Sequence, residues 1–218
     1  LVDLHIHSVF SDGELIPAEI SQRMETLGYK AIAITDHADF SNYRWVIERI
    51  CEFSEKHSGK LKVVPGVEIT HVEPEQIPEL IELSRECGAK IVVVHGETPV
   101  EPVKKGTNKF AIVGGADILA HPGFITPELV ELSAQKGVAL EITARKGHNI
   151  TNGHVVKLAK KFGAKLVINS DAHSPSDLLE PEFLKKVGLG AGLEESEVED
   201  CFKNSFELLK RCGVEISY

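Results

Sequence analysis

Cysteine is scarce in this chain and badly placed for pairing. Cys51, Cys87, Cys201 and Cys212 lie far apart, with no CxxC among 218 residues, a length that builds a core without covalent staples. They read as reduced core residues of a cytoplasmic protein. Long apolar runs are missing too. None approaches the roughly 20 residues of a membrane span, and the sequence does not open on a basic stretch followed by an apolar one, so no membrane partner is expected. Positive charge is in deficit, with 24 Lys and Arg against 33 Asp and Glu and a formal net charge of -9. That balance disfavours a partner held by general attraction to nucleic-acid phosphates, though it leaves room for a local basic pocket. Linkers are absent as well: no Pro/Ser-rich tract, low-complexity segment or heptad run divides the sequence. Residues 1–218 are therefore expected to form a single domain.

What the chain does contain is a repeated grammar. "LGYKAIAITDH", "CGAKIVVVHGE", "KGVALEITAR" and "FGAKLVINSDAH" each follow a helical pattern with a glycine, a β-branched run and a polar residue. Gly28, Gly88, Gly137 and Gly163 stand where a helix would end in a left-handed residue, and the runs after them have the length of buried parallel strands. "LVDLHI", "LKVVPGVEI" and "ADILAH" add three more strands. Between them, Ile16, Ile20, Met24 and Leu27 recur at helical spacing, as do Val198, Cys201, Phe202, Ser205, Leu208, Leu209 and Cys212. Thr126-Pro127 and Ser174-Pro175 read as helix starts. Seven βα units imply a parallel α/β sheet, either a closed barrel or an open doubly wound sheet.

The polar residues favour the barrel. His5, His7, Asp36, His37, Glu68, His95, His121, Glu141, Asp171 and His173 all fall at or just beyond the C-terminal end of a strand. Those ends form one ring in a barrel, whereas the outermost would lie far apart in an open sheet. Residues two apart on a strand share a face, so His5 and His7 point to one place, and the "SDG" turn after them offers Asp12 to the same pocket. An HxH pair alone is a weak signal. Six strand-end histidines (His5, His7, His37, His95, His121, His173) together with Asp12, Glu68 and Asp171 are a strong one, because nine such groups on one rim are costly to bury without cations. Imidazole with carboxylate suits zinc, manganese or iron, and nine ligands exceed one ion's capacity, so two or three divalent ions are expected. Of the other histidines, His57 reads as a surface residue, His71 fits a loop or a site rim equally well, and Asp36 fits either a strand cap or an acceptor that orients the His37 ring.

In the ordered motifs "DLHIHSVFSDG", "AITDH", "PGVEIT" and "INSDAHSP", with "VVVHGE" and "DILAHPG" between the last two, the chain resembles the PHP family, the polymerase and histidinol phosphatase metal-dependent phosphoesterases. The resemblance spans residues 2 to about 175. It implies a distorted (β/α)7, TIM-like barrel with a trinuclear centre. By position it implies a first metal on His5, His7, Glu68 and Asp171, a second on Glu68, His95 and His121, and a third on Asp12, His37 and His173. Asp12 stands where family members often carry histidine. Glu68, Asp171 and His173 are the groups expected to carry catalysis most directly.

The expected chemistry is hydrolysis of a phosphate ester by a hydroxide held between the ions, with Asp36 or a bound water protonating the leaving group. Arg145, Lys146 and His148, in "EITARKGHN", are expected to meet the substrate phosphate, and Lys104 and Lys105 are weaker candidates. The substrate would be a small phosphorylated molecule such as histidinol phosphate, or a short nucleotide. Two rivals stand beside this. One is a non-catalytic subunit on the same fold, associated with RNA or a polymerase; the intact ligand set and the acidic balance oppose it. The other is an amidohydrolase acting on C–N bonds, whose usual bridging lysine has no counterpart because the third unit offers Glu68. The number of subunits is not legible.

Overall fold

Short β-branched runs become the strands of one parallel sheet in this computed structural model, which describes residues 1–214 and 216. Residues 215, 217 and 218, the end of the expected single domain, lie outside the described residues. The strands are β1 (Val2–Ile6), β2 (Ala31–Ile34), β3 (His37–Ala38), β4 (Lys62–Ile69), β5 (Ile91–His95), β6 (Ile118–Ala120), β7 (Ala139–Thr143) and β8 (Leu166–Asn169). The helices are α1 (Pro17–Thr26), α2 (Tyr43–Lys56), α3 (Ile77–Glu86), α4 (Thr107–Gly114), α5 (Pro127–Lys136), α6 (Asn152–Phe162), α7 (Pro181–Gly190) and α8 (Glu195–Arg211). The order β1-β2-β4-β5-β6-β7-β8 is parallel throughout, and the two-residue β3 pairs with the end of β4. This is the nearly closed, distorted seven-stranded TIM-like barrel that the polar strand ends implied.

The distortion has a location. Between β1 and β8 a side-chain clasp replaces most of the backbone ladder: the Leu4 N–H donates to Asn169 Oδ1 at 3.0 Å, and the Ser170 N–H donates to the Asp3 carboxylate at 3.2 Å. Beyond them an isolated parallel bridge between Ile6 and Ala172, with the His7 N–H donating to the Ala172 carbonyl at 2.9 Å, closes the circle.

Strand periodicity divides the core. Ile91 and Val93 share the face of β5 that ends in His95, and Val64 shares that of Glu68; with Ala33, Ile118, Ala139 and Val167 they form a cluster that reaches Leu208 and Leu209 of α8. The alternate residues, such as Ile32, Ile34, Val92, Val94 and Ile168, pack with the surrounding helices. Burying both faces is what lets parallel strands read as continuous apolar runs.

Two expectations needed correction. Ser174-Pro175 opens only a 3-10 turn, Pro175–Asp177, closed by a Ser174–Asp177 capping box; α7 starts later, at Pro181. The turn ends where Leu178 becomes extended, and Glu180, also extended before Pro181, sets the start of the next helix. Of the four cysteines, all free thiols, only Cys201 is buried, whereas Cys51, Cys87 and Cys212 are half-buried. Among the described residues no helix is long and apolar enough to cross a membrane.

Candidate metal centre

Glu68, the seventh residue of β4, is fully buried and stands at the middle of the strand-end ring. One carboxylate oxygen lies 3.3 Å from His5 Nε2 and 3.7 Å from His121 Nε2; the other lies 3.5 Å from His7 Nε2 and 2.8 Å from His37 Nδ1. Asp171 faces it across the pocket, 3.4 Å from His7 Nε2 and 3.6 Å from His121 Nε2. Asp12 approaches His173 Nε2 at 3.3 Å and His37 Nε2 at 3.6 Å. The structure thus brings eight of the nine expected groups together directly. The ninth, His95, joins them through the His121 ring, at a centroid separation of 4.5 Å.

Backbone geometry aims these side chains. His71, His121 and Asp171 have positive φ without being glycine, a conformation costing about 1–3 kcal/mol each that clusters at functional sites. At His121 it turns the first residue after β6 toward the centre. A Cβ on Gly13 would overlap the His7 carbonyl, so only glycine lets the "SDG" turn fold back over β1 and carry Asp12 inward. Likewise, a Cβ on Gly123 would collide with the Glu97 carbonyl, where the loops after β5 and β6 cross.

A layer of supporting groups holds the rings. Glu141 accepts from His5 Nδ1 at 2.8 Å, leaving Nε2 facing Glu68, and is itself fixed by Asn169 Nδ2 at 2.8 Å. His37 is oriented by Thr70 Oγ1 at 2.6 Å, not by Asp36. Asp36 instead accepts the Ser8 N–H, the Ser8 hydroxyl and the Ser11 hydroxyl, which pins the turn bearing Asp12, while burial pushes the Asp36 carboxyl above the ordinary range against those hydrogen bonds.

Electrostatics follows from this crowding. Burial, reinforced by neighbouring histidines, keeps His7 and His121 well below the ordinary imidazole range, so both are neutral lone-pair donors. For His5, burial opposes protonation but Glu141, Glu68 and Asp171 outweigh it and push the ring well above its usual value. Glu68 is held well below the carboxylate range against its burial, by His5 and His37. Burial pushes Asp171 up to about 7, opposed by His5 and helped by Glu68.

The sequence-derived substrate residues separate from one another. Arg145 lies half-buried at the rim, 3.4 Å from Asp177 Oδ2, and Lys146 is exposed. His148 is buried, its ring centroid 4.4 Å from that of His121. Lys104 pairs with Glu73, away from the centre, and Lys105 is exposed. His71 is a rim residue, its ring tilted against that of His95 with centroids 5.4 Å apart, while His57 packs against Phe53 far from the site.

Sequence reasoning missed Glu101. From the loop joining β5 to α4 it reaches His95 Nε2 at 3.1 Å, His148 Nε2 at 3.3 Å and His71 Nε2 at 3.6 Å. The hydrogen bond from His95 holds its carboxyl down at about 2. The available signal was an acid in a long loop directly after a strand-end histidine.

Whether these residues suit metal ions is tested by the atoms left over. His5 Nε2 and both ring nitrogens of His7 are buried with no hydrogen-bond partner, and neither buried Glu68 oxygen receives a well-directed hydrogen bond, the 2.8 Å approach of His37 Nδ1 included. Such groups cost about 1–3 kcal/mol each when unsatisfied. Among the described residues, four sets have donor atoms within 4.8 Å of one another: His5, His7 and Glu68; His5, His121 and Asp171; His7, Asp12, His37 and His173; and His95, His121 and His148. The donor chemistry fits divalent transition ions.

Fold and site together define a TIM-like barrel with a histidine- and carboxylate-lined centre able to hold metal. The chain belongs to the PHP domain family, whose pattern matches residues 3–162, and PHP domains are metal-dependent. It is 52% identical over 214 residues to an uncharacterized protein of Methanocaldococcus jannaschii, covering 96% of this chain and 98% of that one. It is 28% identical to ribonuclease P protein component 3 of Methanosarcina mazei, over 91% and 83% of the two chains. A probable phosphatase of Thermoanaerobacter sp. strain X514 is 27% identical, over 91% and 89%. Among solved structures, an amidohydrolase superposes with a TM-score of 0.66 at 13% identity, over 96% of this chain and 74% of that one, a likeness of fold alone.

Proposed function

We propose that this protein hydrolyses a phosphate ester, a phosphomonoester such as histidinol phosphate or a small nucleotide phosphate, with two or three zinc, manganese or iron ions in the centre. The observation that carries the reading is the set of buried, unpartnered atoms on His5, His7 and Glu68. Similarity to a probable phosphatase supports it. In this reading His5, His7, Glu68 and Asp171 hold a first ion, Glu68 with His95 and His121 a second, and Asp12, His37 and His173 a third. Ions so held supply an acidified water at neutral pH and positive charge opposite the phosphoryl oxygens.

The chain's own groups do the rest. Glu141 and Thr70 lock the His5 and His37 rings, and neutral His7 and His121 present lone pairs without first losing a proton. Arg145 is the rim cation placed to meet a phosphate, its guanidinium kept at the mouth by Asp177. Arg145→Ala is expected to raise KM for a phosphomonoester about tenfold, the loss of one charge-assisted hydrogen bond, with bound metal unchanged. Unaltered kinetics would take Arg145 out of substrate binding.

Similarity to ribonuclease P protein component 3 favours a second reading, a non-catalytic subunit that assembles with RNA. It runs against the charge-based expectation, since the chain carries a net -9. One assay separates the two. Protein of verified manganese content is offered p-nitrophenyl phosphate and histidinol phosphate, beside a chelated control. Turnover that falls at least about 100-fold on chelation and returns with the ion is expected. Full metal content, no turnover of any phosphomonoester and tight RNA binding would replace the enzyme by the subunit.

A further inference from the structure

We infer that His148 and Glu101 are ligands of the ion held with His95 and His121, a set that the strand-end motifs do not contain. The inference rests on the metal centre proposed above and extends it by two residues of this chain.

His148 reaches the centre by its own route. Gly147, at φ 91°, breaks the chain after β7, and the 3-10 turn His148–Thr151 then drops the imidazole inward until it is 7% exposed. Its ring lies 4.4 Å from that of His121 and 5.9 Å from that of His95. The three histidines offer donor nitrogens mutually within 4.8 Å, and the Nδ1 atoms of both His121 and His148 are buried without a partner. A loop histidine serving only as packing would have no reason to bring a polar atom into that company unsatisfied.

Glu101 supplies the negative charge. One of its oxygens faces His95 Nε2 at 3.1 Å and the other faces His148 Nε2 at 3.3 Å, so a single carboxylate spans the two rings from the solvent side. With Glu68, three imidazoles and two carboxylates are a donor set for zinc, manganese or iron. Five protein ligands, against four and three for the other two ions, also leave fewer positions for water. This ion is therefore the most tightly retained of the set, and the loop after β5, carrying Glu101, is tied to its presence.

The test is metal retention. Wild type, His148→Ala, Glu101→Gln and a His57→Ala control are loaded with Zn²⁺ or Mn²⁺, dialysed against graded chelator, and their metal per chain is measured by mass spectrometry. In wild type and the control one ion should resist chelator longest. In both site variants its affinity should fall by at least about tenfold, the scale on which even groups supporting a ligand act. Circular dichroism and melting temperature show that each variant folds, and Glu101, 38% exposed, is replaceable without disturbing the core. If wild type binds no ion, the proposed function fails and this inference with it. If wild type binds ions and both variants retain them equally, only the inference falls. Full metal content with weakened competition by inorganic phosphate would return His148 to substrate contact and overturn it.

Discussion

Glu68→Gln should lower kcat/KM for a phosphomonoester by at least about 10³-fold and leave the protein short of at least one bound ion. The side chain is isosteric, so the barrel keeps its packing; what disappears is a negative charge that four imidazoles share. His5, His7, His37 and His121 all lie within 3.7 Å of its oxygens. A neutral amide offers a single weak oxygen, and its NH₂ group would point at rings that also need an acceptor. The variant should therefore fold, as far-ultraviolet circular dichroism would show, yet fail in metal content and turnover together. Wild-type metal stoichiometry with kinetics inside a factor of ten would remove Glu68 from the middle of the chemistry.

Metal removal should have the next largest effect, on stability. Without ions the pocket confines Glu68 and Asp171 among buried rings whose nitrogens lack partners, and burial has already driven Asp171 up to about 7. An ion that binds only the folded chain stabilises it by about 2.7 kcal/mol at 100-fold excess over its dissociation constant. For a domain of this size that is about 5–10 °C in Tm. Calorimetry of chelated against Mn²⁺-loaded protein checks the direction: loading raises Tm, and further chelator reverses the gain. Identical melting curves, with the ion present well above any plausible dissociation constant, would mean that the ring does not take it.

Much of the barrel was legible because local and global patterns agree. β5, "IVVVH", is buried at every residue, as a strand covered on both faces must be, and its C-terminal histidine lies where the motif put it. The "AITDH" segment was legible only in part. It breaks into β2 and β3 around Thr35 and Asp36, because Asp36 is diverted to bond Ser8 and Ser11, an alliance across 25 to 28 residues that no local pattern reveals. Distance also explains the misplaced residues. His148 looked like a rim group because it follows a strand by several residues; a 3-10 turn and Gly147 decide that it points inward. Glu101 was hidden by its neighbours, since an acid among prolines and lysines in a loop reads as solvated until three histidines from three segments are seen around it. Ser174 signalled a helical start but not its length, since the backbone becomes extended at Leu178, four residues later.

The clasp that joins the first strand to the last has a consequence for how the site comes into being. Leu4 and Asn169 are separated by 165 positions along the chain, yet their bond lies beneath the pocket, and His5 and His7 on one side of that join meet Asp171 and His173 on the other. An ion gripping both sides acts as a reversible staple across nearly the whole polypeptide, and constraints that close long loops restrict the unfolded ensemble most. The pocket cannot close until the eighth strand is in place, so under the proposed metal centre ion capture would follow completion of the circle.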